Sequence, residues 1–332
     1  MVTTGVSQTD PTDVQRRGRR SFVLAGRSGL YILLVLAVAV GAGGYSLRTY
    51  GIFSCQASGY GSGRYLAYCG ATSYGDYDHG AIWFGLEPTA DAAATNAQVL
   101  FLGNSRTVFG FSSKATADWF ASRSKSYYLL GFSHFENYTF EAPLLSRLHP
   151  RATVYVINID SFFERAETGP GKTVMRDASA KTRYEEKRRW QGIHKAVCTT
   201  FKAVCGQDEA IFRSKPTGAW VVTGNRFTSK PVSYDDDINQ NKLASYTALG
   251  NEFLPGLTAD RTCTILTIVP TVKTDVGTAK AIAAALDLNL VAPRPVGLIT
   301  FDQVHLNPES AQRWSAAFLE EAGPQIQKCL NE

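Results

Sequence analysis

The 332 residues carry a net charge of +5, and the N-terminal stretch alone supplies Arg16, Arg17, Arg19, Arg20 and Arg27 against only Asp10 and Asp13. Removing those five arginines and two aspartates from 34 basic and 29 acidic residues leaves 29 and 27. That near-neutral balance lacks the basic footprint of a nucleic-acid-binding protein.

Residues 1–27 read as a cytoplasmic tail, because residues 1–20 are polar, rich in Thr, Asp and Arg, and without apolar periodicity. Residues 28–47 contain no charged side chain and are long enough to span a bilayer once. The arginines before this span place the N-terminus in the cytoplasm and suit contact with anionic lipid. Arg19-Arg20-Ser21-Phe22-Val23-Leu24 also fits a twin-arginine export motif, so a signal peptide is the alternative. The weak small-residue sites between Val38 and Gly44, and the length of the apolar run, favour an uncleaved single-pass anchor in the cell (inner) membrane. Under either reading, everything from about Arg48 onward is extracytoplasmic (periplasmic).

All six cysteines follow the span, and an even number on the exported side points to disulfides. Six cysteines allow fifteen connectivities. The expected set is Cys55–Cys69 and Cys198–Cys205 as local loops, with Cys263 holding Cys329. No C-x-x-C spacing supports zinc.

Residues 48–93, dense in Gly, Tyr and Ser, read as loops stapled by a disulfide. From residue 94 to 332, apolar strands alternate with helical stretches, the pattern of a parallel α/β sheet. Strands are expected at Gln98–Leu102, Ser126–Leu130, Thr153–Ile157, Thr262–Val269 and Gly297–Thr300. Helices are expected at Ser113–Ser122, Tyr138–Leu148, Thr278–Leu286 and Pro308–Ala322. An insertion at about 165–241 is too long for a plain loop. It is expected to hold a helix over Lys181–Thr200 and irregular or β structure over Gly218–Val232.

Gly103-Asn104-Ser105 ends the first strand, and Asp302-Gln303-Val304-His305 lies near the C-terminus. A serine at the carboxyl edge of such a sheet stands where ligands bind in open α/β folds. Its hydroxyl needs a base, which His305 supplies, and Asp302 orients that base if the segment makes a helical turn. No metal or other cofactor is required.

These two blocks resemble those of the SGNH, or GDSL-like, hydrolase superfamily over roughly residues 96–320, and within it exported, membrane-anchored members that modify cell-surface polysaccharide. The resemblance implies a flavodoxin-like, doubly wound parallel sheet with helices on both faces. It also implies an oxyanion hole built from the N–H of Ser105, Gly131 and the amide of Asn158. The third block departs from the family's Gly-x-Asn-Asp, since this chain has Asn158-Ile159-Asp160, and an ionised Asp160 would repel an oxyanion. Arg106 either binds an anionic substrate or pairs with a carboxylate. His134 and His79 are further candidates for substrate contact, with a surface histidine and a solvated turn as the plainer readings.

The expected function is serine-dependent hydrolysis or transfer of acyl esters, chiefly O-acetyl groups of an envelope glycan or exopolysaccharide. Polysaccharide-biosynthesis machinery is the corresponding partner. The alternative is a non-catalytic glycan-binding or assembly protein on the same fold.

Overall fold

The computed structural model describes residues 27–49, 51–70, 74–224 and 228–331. The tail's twin-arginine motif and most of the expected cytoplasmic segment lie outside the described residues. The chain divides into two units, Met1–Ser46 and Leu47–Glu332.

Helix α1 (Arg27–Thr49) is 23 residues long, or about 34 Å at 1.5 Å per residue. Its Gly29–Ser46 window has a mean hydropathy of 1.8, and Leu30, Ile32, Leu34 and Val38 are exposed. By length and composition it can cross a bilayer, as an anchor or as a signal sequence.

The second unit runs β1 (Arg64–Cys69), β2 (Gly75–Asp76), α2 (Asp78–Trp83), α3 (Pro88–Asn96), β3 (Val99–Asn104), α4 (Ser105–Phe111) and α5 (Lys114–Ala121). It continues through β4 (Tyr127–Phe132), α6 (Tyr138–Leu148), β5 (Val154–Asn158), α7 (Gly169–Arg176), α8 (Ala180–Thr200), β6 (Ala210–Ser214) and β7 (Trp220–Thr223). After β8 (Lys230–Pro231), β9 (Tyr234–Asp235) and α9 (Gln240–Phe253) come β10 (Thr264–Thr267), β11 (Thr274–Asp275), α10 (Val276–Ala285), β12 (Asn289–Leu290), β13 (Ile299–Thr300) and α11 (Pro308–Asn331).

Five strands form one parallel sheet in the order β12-β10-β5-β3-β4. Numbered by appearance, that order is 2-1-3-4-5, so the winding reverses between β3 and β5. A crevice opens at the carboxyl ends of the strands at such a reversal. Every residue of β3, β4, β5 and β10 is buried, which explains their unbroken apolar sequences. On α11, Trp314 and Phe318 each pack against Phe111 of α4 with ring centroids 5.0 Å apart.

A second, antiparallel sheet, β2-β1-β6-β7, unites the segment read as loops with the insertion. It docks on the outer edge of β4. The Leu129 N–H donates to Thr217 O at 2.9 Å, and Arg213 donates to Leu129 O. Gly218, at φ +71°, allows this approach, because a Cβ there would collide with Leu129 O. Covering an edge strand in this way removes a row of unpaired backbone groups.

Several sequence expectations change. Residues 48–93 contain β1, β2, α2 and most of α3 rather than loops alone. The fifth strand of the main sheet is β12, whereas β13 pairs antiparallel with β8 outside it. All three disulfides pair as expected, Cys55–Cys69, Cys198–Cys205 and Cys263–Cys329.

Candidate active site

Gly103 adopts φ +137° at the end of β3, with the space of a Cβ filled by the Thr107 hydroxyl. Only glycine turns the chain there from strand into α4. Its N–H donates to Oε1 of the buried Glu141 at 2.9 Å. Asn104 caps α4 by accepting the Arg106 N–H at 2.9 Å and donates to Ser161 Oγ at 2.8 Å. Asn104 thus links the ends of β3 and β5, and Ser105 stands as the first residue of α4 with 8% of its surface exposed.

Nε2 of His305 lies 2.8 Å from Ser105 Oγ, and Nδ1 lies 2.6 Å from Asp302 Oδ2. An ionised carboxylate only accepts, so Nδ1 carries the proton and Nε2 presents a lone pair to the serine hydroxyl. Asp302 does not reach His305 through a helical turn. Its Oδ1 accepts the N–H groups of Val304 at 3.0 Å and His305 at 2.8 Å, and Gln303 takes φ +76°. One carboxylate therefore closes its own turn and holds the imidazole. Partial burial pushes the Asp302 carboxyl up, but the hydrogen bond and charge of His305 outweigh this and leave it below the usual range. The rings of Phe109 and Phe301 lie 4.5 and 5.5 Å from that of His305 and confine it.

Other predicted residues gather at the same strand ends. Asn158 closes β5 beside Gly103, accepts the Val269 N–H through Oδ1 at 3.2 Å, and keeps a buried Nδ2 without a partner among the described residues. Arg106 pairs with Asp160, which sets a positive charge against the carboxylate expected to repel an oxyanion. Gly131 faces Gly103 inside the ladder, and a Cβ there would lie 2.7 Å from Asn104 O, so close packing alone requires glycine. Because β4 runs on through Phe132, the first residue beyond it is Ser133, whose buried Oγ has no partner among the described residues. The sequence marks Ser133 only together with His134, as a solvated turn more than a polar wall of the pocket. Glu209, in the insertion, senses the site electrostatically: burial, then the charge of Asp302, raises its carboxyl above the usual range.

His134 is exposed, in agreement with the plainer reading. His79 is not on a solvated turn. It is fully buried, with Nδ1 2.9 Å from Asp76 and Nε2 3.0 Å from Glu136. Burial pushes the imidazole down, but these carboxylates outweigh it and raise it to about 10. A group whose pKa is raised by folding contributes stability below its unfolded value of about 6.5, and loses it as pH rises through the folded value. Thermal midpoints are therefore expected to fall between pH 6.5 and about 10 more steeply in the wild type than in His79→Gln. Parallel slopes would show that His79 is not held charged.

A parallel α/β protein with a Ser-His-Asp hydrogen-bond chain at its switch point is the class this geometry defines. No protein-family model, curated protein or solved structure matches the chain.

Proposed function

We propose that this chain is a serine-dependent acyl ester hydrolase or O-acyltransferase of the SGNH type, held at the membrane by α1 with its catalytic unit outside the cytoplasm. The 2-1-3-4-5 strand order supports a flavodoxin-like, doubly wound sheet. Three disulfides and the apolar α1 support export. The observation that carries the reading is the continuous hydrogen-bonded series Ser105, His305, Asp302.

His305 takes the proton of Ser105 as Oγ attacks the ester carbonyl, and the alkoxide leaves with that proton, giving an acyl-serine. Water completes hydrolysis, or a glycan hydroxyl completes transfer, with His305 as base again. The oxyanion donors of this reading are the Ser105 N–H and the Asn158 amide, while Gly131, inside the β3–β4 ladder, lets the two strands pack closely beside them. O-acetylated envelope glycans or exopolysaccharides are the substrate class suited to the extracytoplasmic location, beside polysaccharide-biosynthesis machinery.

The test uses full-length protein in detergent with 4-nitrophenyl acetate. Ser105→Ala is expected to lower turnover by at least about 10³-fold, and the wild type to gain an acyl mass on Ser105. Equal turnover, with no acyl mass, would sink the enzyme reading in favour of a non-catalytic glycan-binding protein. Supplying an acceptor glycan and following acetyl gained or lost by mass spectrometry separates transferase from hydrolase.

A further inference from the structure

Beyond Ser133, the chain takes φ +61° at His134 and +56° at Phe135, the one consecutive pair of non-glycine residues in the left-handed region among the described residues. Strain of this kind persists where the surroundings enforce it, commonly at functional sites. Enforcement here comes from the next residue. Glu136 is fully buried, accepts from Thr168 Oγ1 and the Asn137 N–H, and is bonded to His79. The loop is thus pinned from below while Phe135 is 52% exposed.

Phe135 has its ring 5.3 Å from the guanidinium carbon of Arg106, the residue directly after Ser105. That guanidinium is spoken for by Asp160, and Glu164 and Asp302 also act on it electrostatically. Against that one guanidinium stand the carboxylates of Asp160, Glu164 and Asp302, and Glu209 acts on Asp302 electrostatically, so the charged groups around Arg106 are net acidic. An anionic sugar would meet these carboxylates, and the guanidinium beside the ring is already paired with Asp160. An uncharged sugar presents an apolar C–H face, which suits the negative face of an aromatic ring. Ser133 Oγ, at the start of that loop, and Nε of Arg106, whose guanidinium lies beside the ring, are buried and have no hydrogen-bond partner among the described residues.

We infer that Phe135, aimed by the strained 133–135 loop and backed by Arg106, is a stacking platform for an uncharged pyranose ring of the ester-bearing glycan. This rests on the serine esterase or transferase reading and specifies its substrate class.

Two measurements keep the inferences separable. In full-length protein carrying Ser105→Ala, affinity for O-acetylated xylohexaose is read by calorimetry with Phe135 intact, as Phe135→Ala and as Phe135→Trp. Phe135→Ala is expected to weaken binding about tenfold, and Phe135→Trp to restore it. O-acetylated polygalacturonate is expected to bind at least about tenfold more weakly than the neutral probe, because of the carboxylates around the site.

With Ser105 present, Phe135→Ala is expected to raise KM for the xylohexaose far more than it changes kcat, and to reduce kcat/KM for it about tenfold more than for ethyl acetate, which has no ring. Unchanged affinity and KM, or preference for the polyuronate, would overturn the platform while leaving the serine chemistry intact. Loss of glycan affinity in Phe135→Ala, together with undiminished turnover by Ser105→Ala, would retain the platform and overturn the esterase reading.

Discussion

Asp302→Asn is expected to lower kcat on 4-nitrophenyl acetate by about 10³–10⁴-fold, because the carboxylate selects the imidazole tautomer. In the wild type, Oδ1 accepts two backbone N–H groups and Oδ2 accepts His305 Nδ1–H. An asparagine that keeps its oxygen on the backbone turns its NH₂ toward Nδ1. The imidazole must then accept at Nδ1 and carry its proton on Nε2, where it faces the serine hydroxyl and cannot take its proton. The opposite amide orientation sets NH₂ against two N–H donors and opens the turn. Both orientations cost activity, but only the first leaves the fold as it was. Pre-steady-state acylation of Ser105, read with the thermal midpoint, separates them: slow acylation at an unchanged midpoint is the expected result. Asp302→Ala loses the turn as well, so its midpoint is expected to drop by an amount set by about 1–3 kcal/mol of unmet hydrogen bonding. Acylation by Asp302→Asn within about threefold of wild type would show that the carboxylate does not set the tautomer.

How far the sequence spoke depends on what each feature rests on. Strands β3, β4 and β5 were legible because each is buried on both faces and written in contiguous apolar residues. Strand β12 is only Asn289–Leu290 and neither residue is buried, so no apolar run marks it. The second sheet was illegible because β1 and β6 are far apart in sequence and their pairing is decided by the fold. Ser105 and His305 were legible from residue type and position at strand ends. The way Asp302 reaches His305 was not, since an Asx turn with a positive φ at Gln303 leaves no periodic trace. The burial of His79 was equally hidden, because Glu136 stands 57 positions away.

The same limit applies to Arg213, whose replacement is expected to have the largest effect on stability. Its guanidinium has no exposure, lies 2.6 Å from Asp78, donates to Leu129 O, and sits 5.0 and 5.5 Å from the rings of Phe132 and Tyr128. Asp78 in turn accepts Tyr65 O–H at 2.6 Å. Arg213→Met keeps the volume and leaves Asp78 buried without its counter-charge, which costs about 3–5 kcal/mol. Because a buried pair gains little net energy over neutral groups of similar shape, adding Asp78→Asn should recover most of that loss while keeping an acceptor for Tyr65. Denaturant melts of the full-length single and double variants in detergent measure this, and a double variant no more stable than Arg213→Met would show that the guanidinium acts through packing and the Leu129 carbonyl instead. Function should follow the same bond. Leu129 is the point at which the small sheet grips β4, and β4 carries Ser133 and the strained loop at its end. Arg213→Met is therefore expected to raise KM for an O-acetylated glycan at temperatures well below its own melting transition, as the loop loses the scaffold that holds its strained backbone.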